Sequence, residues 1–235
     1  MNRLLCTALV GLAGGLRPAD LLAQTTFSWV ARLGGTLATR HYFDDNTRVA
    51  PGTYRPGFEA GVVGQLGGTG HWAGRAGVLY TQKGDCVRHA NTDLYHNHNL
   101  PNYGDYTLAL RLHYLTLPVS AVYAPRGMGR GLQLSFGGYL AACLGGNYAL
   151  TNTAPDAPYV GTETIVPVWR VSTRYVLTRV VDAGAQAGVG YRRGAFLAQA
   201  EYSLGLVPVA GLYFGRPYYN GTGHLSLAYW FGPKG

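Results

Sequence analysis

The sequence predicts an all-β fold: an eight-stranded antiparallel up-and-down transmembrane β-barrel of the outer-membrane type. Three observations predict it. Hydrophobic residues make up 47% of the 235 residues, whereas charged residues make up only 13%, about half of the usual share. Beyond residue 23, no stretch approaches the roughly 20 consecutive apolar residues of a membrane helix. Apolar residues instead recur at every second position in many segments, which is the period of a β-strand.

The N-terminal segment has the pattern of a secretory signal peptide. Arg3 gives a short basic start, the apolar run 4–16 is too short to span a bilayer, and the bond between Ala23 and Gln24 fits a cleavage site. We therefore expect a signal peptide over residues 1–23 and one outer-membrane β-barrel domain over residues 24–235. The net charge of +8 is spread over scattered arginines, so we expect no nucleic-acid partner.

The strand-like segments alternate between long polar loops and short turns. Loops follow the odd-numbered strands, including the stretches 84–105 and 151–178, and turns follow the even-numbered ones. Outer-membrane barrels show this asymmetry, with short periplasmic turns and longer outer loops. An even number of strands also lets the last strand pair antiparallel with the first. The predicted strands cover residues 27–40, 57–66, 72–83, 106–123, 132–148, 179–191, 195–207 and 223–231.

Alternation also predicts which side chains face the lumen. Four charged residues lie on the polar side of their strands: Arg32, Glu59, Arg75 and Glu201. We expect them to form a lumen charge network with opposite charges paired, because an unpaired buried charge is costly. The facing of the fourth predicted strand stays open, since Leu115 and Leu117 have the opposite parity to Leu112 and Tyr114.

The last predicted strand carries a continuous apolar face. Its members are Leu225, Leu227, Tyr229 and Phe231. We expect this face to contact lipid while the strand closes the barrel on the first strand. The face also resembles the C-terminal aromatic signal that the barrel-assembly machinery reads, so we expect it to act as an assembly signal.

Two sets of residues are candidates for chemistry, and neither is compelling. A loop cluster has metal-ligand character and consists of His89, Asp93, His96 and His98, but loop histidines are usually solvated. His113 with Ser120, or His224 with Ser226, could form hydrolytic pairs, yet neither pair has a recognisable third member. We therefore expect no metal, no cofactor and no enzymatic activity.

Five short motifs in order resemble the PorT-type outer-membrane β-barrel proteins of Gram-negative bacteria. They are PGFEAG at 56–61, VLYTQKG at 78–84, LHYLTLP at 112–118, GGYL at 137–140 and AEYSLGL at 200–206. The resemblance implies an eight-stranded barrel without a cofactor, integral to the outer membrane. The chain departs from the family pattern at Gly77 and Thr116, where an acidic residue is usual, and at Glu201, where a basic residue is usual.

Together these patterns predict a structural or interaction protein that acts through its extracellular loops and has a plugged, polar lumen. The partners expected are outer-membrane lipid and lipopolysaccharide, the barrel-assembly machinery during biogenesis, and a secretion-system or surface partner of unknown identity. The alternatives are a narrow solute channel and an outer-membrane lipid-modifying enzyme. A link to protein secretion follows from family analogy only.

Overall fold

The computed structural model describes residues 26–41, 53–67, 70–92, 104–152, 159–167, 178–209 and 218–231. The predicted signal peptide, residues 1–23, lies outside these ranges. The described residues form nine β-strands: β1 (Thr26–His41), β2 (Arg55–Gly67), β3 (Trp72–Thr92), β4 (Gly104–Tyr123), β5 (Gly131–Asn152), β6 (Tyr159–Ile165), β7 (Val181–Arg193), β8 (Phe196–Gly205) and β9 (Tyr219–Phe231). Within these ranges no helix has the length and hydrophobicity of a membrane span.

Eight of the nine strands form a closed antiparallel ring. Each strand pairs with its neighbour in the order β1, β2, β3, β4, β5, β7, β8 and β9. The ring closes where β9 pairs with β1, from Trp29 opposite Phe231 to His41 opposite Tyr219. The predicted eight-stranded barrel is therefore confirmed, and the last strand has a partner on both sides.

The ninth strand, β6, extends the sheet beyond the ring. It pairs with Gly146–Asn152 at one end of β5, whereas β7 pairs with Gly131–Ala142 at the other end. The prediction of an irregular stretch over 151–178 is wrong for 159–165. β6 is only seven residues long and contains a glycine, so its strand signal in the sequence is weak. Its alternating Val160, Thr162 and Thr164 are nevertheless typical of a strand.

β3 and β4 are longer than the sequence predicts. Their pairing continues past Gly84 to His89 opposite Tyr106, so the expected loop 84–105 is wrong at both of its ends. Gly84 looks like a turn signal in the sequence. In the structure Gly84 allows β3 and β4 to pack closely, since a Cβ at this position would overlap the carbonyl oxygen of Leu110.

Side chains alternate between the interior and the outer surface along every strand of the ring. The outward positions are apolar and exposed over most of the wall, including Leu33, Phe136 and Leu227. This surface is the apolar band expected of a barrel in lipid. The band ends at two rims. One rim holds the turns 124–130 and 194–195 and the ends of β2 and β3 at Gly67 and Trp72, and we call it the turn end. We call the opposite rim the loop end.

The facing of β4, which the sequence left open, is uniform. Leu115 and Leu117 point outward, whereas Leu112 and Tyr114 are fully buried in the interior. Both faces of β4 are apolar because its inward side chains at this level belong to a buried apolar cluster. The cluster consists of Leu110, Leu112, Tyr114, Tyr139, Ala141, Cys143 and Ile165.

Candidate functional site in the barrel interior

Arg32 on β1 joins two carboxylates from different strands. Its Nε donates to Glu59 Oε1 at 2.7 Å, and its Nη2 lies 2.7 Å from the same oxygen. The Nη2 atom also lies 2.5 Å from Glu201 Oε2 on β8. All three side chains are nearly or fully buried. The guanidinium of Arg32 therefore links β1 to both β2 and β8, and it offsets two buried negative charges at once.

Glu59 has a second partner that the sequence did not indicate. Its Oε2 lies 2.7 Å from His224 Nδ1, and His224 Nε2 lies 3.1 Å from Ser203 Oγ. This connectivity is that of a serine–histidine–carboxylate array. The pairs that the sequence offered are not formed: Ser226 Oγ has no hydrogen-bond partner among the described residues, and His113 points outward, away from the buried Ser120.

Arg75 is held by amides. Its guanidinium donates to Gln65 Oε1 at 2.8 Å, to Gln133 Oε1 at 2.5 Å and to Gln199 Oε1 at 3.5 Å. Gln199 in turn donates to Glu201 Oε1 at 2.5 Å, which ties Arg75 to the Arg32 cluster. The four charged residues singled out in the sequence thus lie in one connected set of contacts.

A second ionic cluster lies closer to the loop end. Lys83 Nζ on β3 lies 2.7 Å from Asp182 Oδ2 on β7. The same carboxylate accepts hydrogen bonds from Asn220 Nδ2 at 2.9 Å and from Tyr139 at 3.1 Å. Lys83 Nζ also lies 4.2 Å from the centroid of the Tyr139 ring, where a cation is favourable.

Sequence reasoning missed this cluster and a further ion pair near the rim. Arg40 Nη2 lies 2.8 Å from Asp85 Oδ1, and Asp85 had been assigned to a loop. The parity of Asp182 in the predicted strand 179–191 places it among inward residues, so the sequence does indicate a buried carboxylate. Its partner Lys83 is the last residue of the predicted strand 72–83, where the sequence does not distinguish a buried residue from one in the following loop.

Aromatic and apolar side chains fill the turn end of the interior. Trp230 is buried there, with Arg192 at 4.0 Å and Arg75 at 5.3 Å from a ring centroid. A tryptophan near the end of a barrel strand is typical of an interfacial girdle, but the parity of Trp230 on β9 places it inward. Trp29 and Trp72 do point outward at this rim. Residues Val30, Val63, Leu79, Leu197 and Ala228 pack around Trp230.

Small cavities lie between these interior side chains. One measures about 20 Å³ beside Arg75, and another measures about 10 Å³ beside Ser203. A water molecule needs a cavity of roughly 10–15 Å³. Each of these spaces is therefore of the order of one water molecule.

The remaining predicted site residues divide into two groups. The candidate metal ligands Asp93, His96 and His98 lie outside the described residues, as does the side chain of His89. The described part of the chain contains no other group of three or more potential metal ligands. The candidate assembly residues on β9 all lie on its outer, exposed face: Leu225, Leu227, Tyr229 and Phe231.

The closed antiparallel ring and its apolar outer wall define an integral outer-membrane β-barrel protein. The chain belongs to the outer membrane protein beta-barrel domain family, whose profile matches residues 22–211. This membership places the protein in the outer membrane.

The chain is also similar to two solved bacterial proteins. Ail, the attachment invasion locus protein of Yersinia pestis, was crystallised with the heparin analogue sucrose octasulfate. It is 11% identical with a TM-score of 0.38, and the match covers 87% of this chain and 99% of Ail. Neisserial surface protein A is 12% identical with a TM-score of 0.39, covering 88% of this chain and 99% of that one. A search of curated proteins finds no significant match.

Proposed function

We propose that this protein is an outer-membrane barrel with a closed lumen, which acts as a structural or interaction protein through its extracellular loops. The observation that carries the proposal is the set of paired charges spanning the interior from Arg32 to Asp182. An eight-stranded barrel is only wide enough for its own side chains. When these side chains bind one another, the wall becomes a rigid support, and the loops are what a partner can reach.

The alternative of a narrow solute channel requires a continuous aqueous path. Such a path would have to pass the apolar layer around Tyr114, the ionic layer around Arg32 and the packed Trp230. Opening the ionic layer would break the Arg32 contacts with Glu59 and Glu201, and separating buried partners of this kind costs several kcal/mol. A closed state is therefore the lower-energy arrangement for the described interior.

The array Ser203–His224–Glu59 is the one observation that favours a lipid-modifying enzyme. Three features weigh against catalysis there. Ser203 is buried and faces the interior, whereas an acyl chain would approach from the outer wall. Glu59 is already neutralised by Arg32. The adjacent cavity has about the volume of one water molecule, so no ester group fits beside the hydroxyl.

The narrower resemblance to PorT-type proteins would add a role in protein secretion. It depends on the five short motifs, of which the segment 78–84 lies within β3 and the segment 200–206 lies mainly within β8. These motifs build the wall. A partner in secretion would have to bind the loops, so the secretion proposal is a special case of the loop proposal.

Surface labelling of intact cells tests whether the loop end faces outward. In a background with Cys86→Ser and Cys143→Ala, a cysteine would replace Thr162 on β6 or Gly129 in a turn. We expect a membrane-impermeant maleimide to label the Thr162→Cys protein on intact cells, and the Gly129→Cys protein only after the outer membrane is permeabilised. Equal labelling of both, or labelling of Gly129→Cys alone, would contradict the proposal.

A further inference from the structure

The apolar outer wall is interrupted by polar side chains at one place on β3 and β4. Tyr80 and Gln82 on β3 and Arg111 and His113 on β4 occupy outward positions. Gln82 lies directly across from His113 in the strand register. Exposed apolar residues flank this patch at the same level, with Phe58 on β2 and Leu144 on β5. We call Tyr80, Gln82, Arg111 and His113 the β3–β4 patch.

The lower part of the patch is preorganised. Tyr80 OH lies 2.5 Å from His113 Nδ1, and Gln82 Nε2 donates to Tyr80 OH at 3.3 Å. The Tyr80 and His113 rings stack with centroids 5.9 Å apart, and Phe58 packs on Tyr80 at 5.3 Å. Polar side chains that face hydrocarbon need hydrogen-bond partners. Here Gln82, Tyr80 and His113 bond to one another, so their positions are fixed before a ligand binds and little conformational entropy is lost on binding.

Arg111 stands above this group, toward the loop end, and its charge has no counter-ion within the described residues. It is exposed and makes no ion pair or hydrogen bond with any of them. Arg55 and His113 lie within electrostatic range of it and add positive charge in their cationic forms. The carboxylates with described side chains do not lie beside Arg111 on the outer wall, because all four lie inside the barrel: Glu59, Asp85, Asp182 and Glu201.

We propose that the β3–β4 patch binds the phosphate group of an anionic outer-leaflet lipid, with Arg111 as the main contact. A guanidinium binds phosphate through two parallel hydrogen bonds, and a long arginine side chain reaches from the apolar wall to the headgroup level. The stacked Tyr80 and His113 rings supply a flat surface for the lipid beneath its headgroup. This inference concerns the wall and is independent of what the loops bind.

The test uses purified full-length barrels reconstituted in nanodiscs of phosphatidylcholine with a small fraction of bis-phosphorylated lipid A. After transfer to detergent, native mass spectrometry counts the lipid A that stays bound. We expect wild-type protein to retain it about tenfold better than Arg111→Gln, the loss expected for one charge-assisted pair. Arg111→Lys should retain an intermediate amount, since it keeps the charge and loses the paired hydrogen bonds.

The matched control is Arg193→Gln, which removes an exposed arginine of β7 at the turn end and should retain lipid A as the wild type does. Heat-modifiable gel mobility confirms beforehand that each variant is folded.

Two further arms identify the ligand. Phosphate-free lipid A should bind as weakly to the wild type as lipid A binds to Arg111→Gln, and millimolar inorganic phosphate should not displace lipid A. Equal retention by Arg111→Gln and wild type, equal loss in Arg193→Gln, equal binding of phosphate-free lipid, or full displacement by phosphate would each overturn the proposal.

Discussion

At the scale of single residues, Arg32 is the group on which the interior depends most. It holds Glu59 and Glu201, two buried carboxylates that come from strands far apart in the chain. Each of them has further hydrogen-bond donors, namely His224 for Glu59 and Ser135 for Glu201. A hydroxyl donor such as Ser135 orients a carboxylate but does not cancel its charge. Losing the arginine therefore removes the guanidinium that faces both buried carboxylates.

We expect Arg32→Met to destabilise the folded barrel by about 3–5 kcal/mol, because removing one partner of a buried ion pair exposes the full desolvation cost of the other. Urea unfolding in lipid vesicles measures the change. Arg126→Met is the matched control, since Arg126 is exposed in the turn between β4 and β5, and its loss should change the free energy of unfolding by less than about 0.5 kcal/mol. A cost below about 1 kcal/mol for Arg32→Met would contradict the account of the interior.

Alternation identified the inward charges but not all of their partners. Arg32, Glu59, Arg75 and Glu201 follow from parity, since each stands opposite apolar neighbours in a regular strand. Which inward charges meet depends on the curvature and stagger of the ring, and these are properties of the closed sheet. Trp230 shows the limit of residue type as a guide: a tryptophan near a strand end resembles a girdle residue, and only its parity places it inside.

At the scale of elements, close packing of strands depends on particular glycines. Gly137 on β5 faces β4, where a Cβ would overlap the carbonyl oxygen of Val119 and come within 2.6 Å of Ser120 Cα. Backbone atoms cannot move aside without breaking the β4–β5 ladder. The glycine content of the chain therefore has a structural reason beyond its turns.

We expect Gly137→Ala to lower the yield of folded barrel in a refolding assay and to destabilise what does fold by about 1–3 kcal/mol, the usual cost of overpacking. Gly74→Ala on β3 is the control, because the nearest atom to its added Cβ is the Leu66 oxygen at 4.0 Å. Band-shift electrophoresis follows folding of both. Comparable yields of the two variants would contradict this account, because they would show that a Cβ fits between β4 and β5 at Gly137.

The final strand carries the proposed assembly signal on its outer face. Phe231 is 58% exposed at the turn end of β9, and Phe136 on β5 is 53% exposed on the same apolar wall. We expect Phe231→Ala to reduce the amount of protein in the outer membrane severalfold, and Phe136→Ala to have a much smaller effect. Immunoblots of outer-membrane fractions measure both. Equal reductions would show that exposed aromatic area, and not the C-terminal position, determines insertion.

Strand boundaries were the least predictable feature of the elements. Polarity marked 84–105 as a loop, yet β3 and β4 continue beyond the apolar band, where outward positions meet water and need not be apolar. The same reason hides β6, whose strand character lies in β-branched residues and not in an apolar face. Strands inside the band were predicted closely because lipid imposes a strict alternation there, while pairing beyond the band leaves only a weak compositional signal.

At the scale of the whole molecule, packed side chains fill the described barrel along its axis. Toward the loop end, the apolar side chains around Tyr114 pack beside the Lys83–Asp182 ion pair. The ionic cluster around Arg32 lies in the middle, and Trp230 with its arginine neighbours lies at the turn end. The ring joins its last strand to its first, so the ring itself has no open edge, whereas β6 pairs with only one described strand, β5. The loop end, which includes β6, and the β3–β4 patch are then the surfaces proposed to meet other molecules.

Planar-bilayer recording tests the closed lumen most directly. Purified barrels would be inserted from detergent and followed at 1 M potassium chloride, with a 16-stranded porin in the same bilayer as the control for detecting an aqueous channel. The account predicts porin steps only and no steady current from this protein across the voltage range that the bilayer withstands. Steady, uniform single-channel currents that scale with the number of inserted barrels would contradict it.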